Sequence, residues 1–226
     1  MTSFSHSAEL RWFSPLVERK AELLAWFRQA DALPLVEESG ATPSVPYVKA
    51  EGLRTDHYLC LPCSDVTGVK QRQGKFEIKS LVAGPRPWAA HGLTGRVDQW
   101  VKWSFDDKDK DFRATLAGKL NDSGKWTAVG KTRYLQKYSC SSGDMKLVSP
   151  DDRPQSGCNV ELTLIDVDAS VSQWVTLGFE AFGEPGDTFK LLHDTLDDFF
   201  ARCGPPPLPL SGHDSVSYPT WLALLR

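Results

Sequence analysis

Apolar and polar residues alternate along most of this chain, with one early and one late switch to helical spacing. Residues 7–13 (SAELRWF) alternate and predict a first strand, because side chains at i and i+2 share a face. Ser14 and Pro15 then read as a helix start, Ser as N-cap and Pro in the first helical position. Val17, Ala21 and Leu24 recur at helical spacing beside Leu16, Leu23 and Phe27, which predicts a helix to about Arg28. Pro34, Gly40, Pro43 and Pro46 mark a loop. Strands are predicted over 53–61, over 68–73 and 76–82 as a hairpin about a Gly-Lys turn, and over 96–105, 112–120, 127–137, 159–167 and 174–183. The run DDKDKD at 106–111 reads as a solvated turn and 144–157 as a polar loop. A second helix opens at Asp187, buries Leu192, Leu196 and Phe199, and stops near Cys203 before Gly204 and Pro205. PPPLPL is stiff and extended. It reads as a tether docking the helix-like YPTWLALLR through Trp221, Leu222 and Leu225, in preference to a ligand for a proline-reading module. Strand, helix, many consecutive strands, helix: this order predicts a mainly β, α+β protein whose antiparallel sheet closes as a barrel or folds as a sandwich. Residues 1–204 form the domain, and 205–226 a Pro-rich tail packed on it.

The polar positions of these strands carry charge at strand period. Glu9 alternates with Arg11, Arg54 with Asp56 and Tyr58, Lys70 with Arg72, Glu77 with Lys79, Arg96 with Asp98, and Lys131 with Arg133. Lys102 and Lys137 fall in phase, and Glu161 and Glu180 stand on the last two strands. The residues between them are apolar, among them Val69, Phe76, Ile78, Val101, Tyr134, Val160, Leu162 and Phe179. An exterior covered by helices and loops would require this, and it favours charged faces turned inward over charged faces in solvent. A closed barrel of about eight strands can hold a small ligand in a polar lumen. Cations outnumber acids on these faces although the whole chain carries a formal charge of −3. The ligand expected is therefore a small phosphorylated molecule or anion, with Arg as the bidentate and Lys as the point-charge partner. Carboxylates interleaved with the cations suit magnesium or manganese bridging to phosphate oxygens.

The remaining composition narrows the choice by exclusion. Hydrophobic residues make up 41% of the 226, too many for a disordered chain. No apolar run approaches the roughly 18 residues that span a bilayer, so no membrane partner is expected. MTSFSHSAELRWF has no basic region followed by an apolar one, so a cytoplasmic location is expected. The negative net charge speaks against binding nucleic acid by bulk charge. Oligomeric state is not legible. Cys60 and Cys63 form a C-x-x-C with no second metal pair and no redox context, and read as strand-end thiols. His193 reads as a packing residue of the last helix. No Walker-type loop, G-x-G-x-x-G or Ser/Cys nucleophile signature is present.

Taken in order, these segments resemble the CYTH superfamily, the triphosphate tunnel metalloenzymes. SAELR (7–11) stands where that family opens with E-x-E-x-K, and RTDHY (54–58) resembles its acid-before-aromatic strand. GVKQRQGKFEIK (68–79) resembles its basic hairpin, K-T-R (131–133) its K-x-R strand, and LGFE (177–180) a late strand ending in an acid. The resemblance spans most of residues 4–200. It implies an eight-stranded antiparallel tunnel, magnesium or manganese, and hydrolysis or transfer at a triphosphate. On its terms Glu9, Asp98 and Glu180 would hold the metal. Arg11, Arg54, Lys70, Arg72, Lys79, Arg96, Lys131 and Arg133 would clamp phosphate, and Glu161 would be catalytic, orienting water. The chain departs from the pattern at Ser7, Arg11, Trp100 and Phe182, three of which replace acids. Glu77, Glu161 and Asp56 are acids that could compensate. A metal-dependent phosphohydrolase of a small triphosphate or organic phosphate is the leading expectation. A non-catalytic module holding a phosphorylated metabolite or nucleotide is the alternative, and a scaffold working through the Pro-rich tail a third.

Overall fold

The computed structural model describes residues 3–15, 19–29, 47–60, 65–106, 126–141, 144–167 and 173–225. Among the described residues, nine strands and three helices follow in the order β1 (Ser3–Pro15), α1 (Lys20–Phe27), β2 (Lys49–Leu59), β3 (Thr67–Arg72), β4 (Lys75–Ala90), β5 (Leu93–Asp106), β6 (Trp126–Ser141), β7 (Asp144–Val148), β8 (Gly157–Val167), β9 (Gln173–Phe182), α2 (Thr188–Cys203) and α3 (Tyr218–Leu224). The sheet order is β2-β3-β4-β5-β1-β9-β8-β6, and β2 pairs back with β6, so eight antiparallel strands close on themselves. The closing seam runs from Lys49↔Leu135 to Leu59↔Trp126, with a register shift between Glu51 and Arg54. β7 continues the β6 edge past that seam, pairing Lys137 with Val148 through Ser141 with Asp144.

The strands turn most of their apolar residues outward and their charged residues inward. Outside, Ala8, Leu10, Trp12, Val160, Leu162, Leu177 and Phe179 are fully buried against the helices. α2 contributes Leu192, Leu196 and Phe199, and α1 contributes Leu23 and Phe27, to the same cluster. Two side-chain donors fix α1 there: Trp26 Nε1 donates to Cys203 O at 2.8 Å, and Gln136 Nε2 to Phe27 O at 2.7 Å. Leu208 and Leu210 of the proline-rich stretch join this core. α3 packs separately over one end of the barrel with Phe13, Tyr58, Val129 and Ile165.

Some boundaries differ from the sequence reading. Ser14 and Pro15 do not start a helix; they end β1, opposite Val175 and Trp174 of β9, and α1 begins only at Lys20. Pairing with β9 overrides the local capping signal, and Pro at a strand end forfeits no interior ladder bond. The first hairpin turns at Gln73-Gly74, with φ of 45° and 77°, rather than at Gly-Lys. Both turn residues are left-handed, the primed geometry that matches strand twist, and Gly74 takes it without a Cβ clash. β4 and β5 are one long ribbon joined at His91-Gly92, so residues 83–95, unassigned from sequence, are mostly strand. Residues 144–157 include β7 and are not wholly loop. Leu225 is 38% exposed, whereas Trp221 and Leu222 are buried. The strand predicted over 112–120, residues 107–111 of the charge run, and Cys63 lie outside the described residues.

Candidate functional site: a charged well inside the barrel

The barrel encloses a cavity of about 470 Å³ lined from all eight strands and α3. Each of the twelve side chains singled out above as a phosphate, metal or catalytic residue lines it. β1 supplies Glu9 and Arg11, β2 Arg54, β3 Lys70 and Arg72, β4 Lys79, and β5 Arg96 and Asp98. β6 supplies Lys131 and Arg133, β8 Glu161 and β9 Glu180. The two-residue period does this: with one face against the helical layer, every second residue must face the lumen. Lys102, Lys137 and Glu77 line it too, giving ten cationic side chains against five carboxylates.

Every lumen carboxylate but Asp98 is ion-paired. Glu161 sits between Arg11, at 3.2 Å, and Arg133. Burial would raise its pKa, but the two guanidiniums outweigh burial and hold it far below the carboxylate range. Glu77 takes Lys70 at 2.8 Å and Arg72 at 2.9 Å. Burial again opposes ionisation, and these cations pull its pKa down to about 2. Asp56, in phase with Arg54 and Tyr58 on the inward face and fully buried, pairs with Lys131 at 3.1 Å and Arg54 at 3.3 Å. Burial lowers Lys131 well below the ordinary lysine range despite that partner. Glu51 at the barrel rim holds Arg133 at 2.8 Å and Arg54 at 3.3 Å. The cations are thus pre-oriented by carboxylates, and the lumen keeps an excess of positive charge.

Asp98, Glu9 and Glu180 form a row. Glu9 is the direct cross-strand partner of Asp98 on β5 and of Glu180 on β9. Like charges placed so repel. Lys79 pairs with Glu9, and Lys102 lies 3.6 Å from Glu180. Burial, then Glu9, push the Asp98 carboxyl up to about 6. Three hard oxygen donors in a row have the right chemistry for magnesium or manganese. Their placement does not: lysines occupy two of them, and among the described residues no three His, Cys, Asp or Glu side chains gather closely enough to hold a metal ion. The described residues therefore do not fit a resident metal. Trp100 and Phe182, which stand where the resemblance has acids, also face the cavity, with Lys79 Nζ 5.0 Å above the Trp100 ring.

The sequence reading missed the contribution of α3. Ser217 caps α3, accepting from Thr220 N at 3.3 Å, and this presents Tyr218 to the lumen. The Tyr218 ring stacks on Tyr58 with centroids 5.4 Å apart and planes 8° from parallel. Lys131 Nζ lies 4.0 Å and the Arg11 guanidinium carbon 5.2 Å from its centroid. Lys131 also bonds the Tyr58 hydroxyl. No local pattern marks Tyr218 as a lumen residue, because it comes from an element outside the sheet. Gly178 was visible in sequence, but its reason was not. A Cβ there would lie 2.4 Å from the Arg11 guanidinium carbon, so glycine leaves the space across which Arg11 reaches Glu161.

By sequence, no family model and no curated protein matches the chain. Among solved structures, the S. pombe Pct1 RNA triphosphatase aligns with it at 11% identity and a TM-score of 0.38, over 88% of this chain and 85% of that one.

Proposed function

We propose that the barrel is a phosphohydrolase that binds an oligophosphate, a small triphosphate or a related organic phosphate, in its lumen and hydrolyses a phosphoanhydride there. One observation carries this: ten cations from distant strands converge on one enclosed cavity with half as many carboxylates. Concentrating that much like charge is costly without a polyanion, and Arg forks suit phosphate oxygens. The order of motifs shared with the CYTH superfamily supports the same reading. In it, Lys70, Arg72, Lys79 and Arg133 neutralise the phosphoryl oxygens, which is where a loose phosphoryl-transfer transition state gathers charge. Glu161 is a positioning residue for Arg11 and Arg133, since a carboxylate held so firmly ionised is a poor proton acceptor. Asp98, without an ion-pair partner among the described residues, is the carboxylate available to accept a proton from attacking water.

The second reading is a non-catalytic oligophosphate module. The pairing of Glu9 and Glu180 with lysines favours it, because it leaves no three-carboxylate metal centre among the described residues. Phosphate release from tripolyphosphate, ATP and thiamine triphosphate, with and without added magnesium or manganese, separates the two. Turnover that Asp98→Asn abolishes supports the hydrolase. Binding of the same compounds by calorimetry without turnover under any condition supports the module.

A further inference from the structure

The row of Glu9, Asp98 and Glu180 holds cations of the chain's own. Glu9 Oε1 accepts from the Ser7 hydroxyl at 2.8 Å and also from Lys79 Nζ. Those two donors use both lone pairs of that oxygen. Lys102, the cross-strand partner of Lys79, reaches Glu180. Each ammonium carries one positive charge, so the pair brings to this row what a single divalent cation would bring. The adjacent row of the lumen shows why lysine is held there. Trp100 and Phe182 flank Ser7, from β5 and β9, and face the cavity. The Trp100 ring is buried, and Lys79 Nζ lies over it. An aromatic face attracts an ammonium. It supplies no oxygen to a hard cation and cannot hydrogen-bond the several waters that magnesium keeps. Aromatic rings at 100 and 182 therefore withhold oxygen donors, and the one at 100 provides a seat for lysine.

We propose that Lys79 and Lys102 stand in for a divalent cation on this row, and that the ligand of the lumen is the metal-free oligophosphate. The inference rests on the oligophosphate reading above and adds to it the ionic form of the ligand. An ammonium has three N–H donors, so Lys79 can bond Glu9 and still present a proton to a phosphate oxygen. Magnesium then opposes binding. It neutralises part of the oligophosphate in solution, so the complex offers less charge to the lumen cations. It also carries a hydrated ion for which the lysine-filled row has no place.

Titration calorimetry on the full chain tests this with tripolyphosphate in EDTA and in excess magnesium, with sodium chloride matching the ionic strength. Metal-free tripolyphosphate binds, and magnesium weakens it at least about tenfold. Binding no weaker in magnesium overturns the inference while the oligophosphate reading stands. Binding in neither condition overturns both. The double variant Lys79→Met with Lys102→Met frees Glu9 and Glu180 and reverses the sign of the magnesium effect. In EDTA it binds at least about tenfold more weakly than the native chain, and magnesium restores part of that loss. A folded variant that magnesium weakens as it weakens the native chain contradicts the role given to the two lysines. Manganese added to the native chain alone provides a readout that does not depend on the variant folding. Its free-ion paramagnetic resonance signal stays undiminished at equimolar protein. A stoichiometric loss of that signal, abolished by Glu9→Gln, overturns the inference.

Discussion

Asp98 is the residue at which folding and function pull apart most clearly. A carboxyl whose folded pKa is raised to about 6 destabilises the fold once ionised. Its favourable contribution is present below the unfolded value near 3.8 and is lost as pH rises through 6. Asp98→Asn therefore stabilises the protein at pH 7, by about 1 kcal/mol once solvent screening is allowed for, as read by urea unfolding. If Asp98 is the base, the same variant lowers phosphate release by about 100-fold or more. A variant equally active, or less stable, removes Asp98 from that role. Glu77 behaves in the opposite sense. Its folded pKa of about 2 lies below the ordinary 4.5, so its contribution is complete above pH 4.5 and drains away as pH falls towards 2. Glu77→Gln strands Lys70 and Arg72 without their partner and costs about 3 kcal/mol at pH 7. It also flattens the acid limb of a urea-stability profile between pH 4.5 and 2. An unchanged acid limb would show that the Glu77 pairs contribute little. Residues like Glu9, Arg11, Lys70 and Arg133 were legible in sequence because strand period alone fixes their face. The pairing of Glu161 with two arginines was not, since which acid meets which cation depends on barrel register.

At the scale of elements, α3 couples the tail to the site. Trp221 is nearly fully buried and stacks on Phe13, so Trp221→Ala costs about 3–5 kcal/mol if α3 is part of the folded barrel. Unfolding of the remainder at an unchanged denaturant midpoint would mean that α3 is a loosely held appendage. The sequence disclosed that YPTWLALLR needed burial but not where, because nothing local says that a terminal helix seats in a barrel end. Ser14-Pro15 shows the converse. A good local capping signal lost to nine consecutive pairings between β1 and β9. The switch on the inward face from charge to Phe13, Val129 and Ile165 was present in the alternation, and it becomes readable as a floor only when the strands are aligned.

At the scale of the whole molecule, a chain of net charge −3 keeps its positive charge indoors. That arrangement is expensive to fold, and under the function proposed above a polyanion offsets the cost on binding. Tripolyphosphate at saturating concentration therefore raises the thermal midpoint, by about 5 °C or more at a hundredfold excess over Kd. The direct measurement is calorimetric titration of the full chain with tripolyphosphate at low ionic strength, beside the variants Lys70→Ala and Arg133→Ala. The account predicts one site per chain, weakened about tenfold or more by either substitution and weakened further by salt. Absence of binding, or binding that both variants leave untouched, would contradict it.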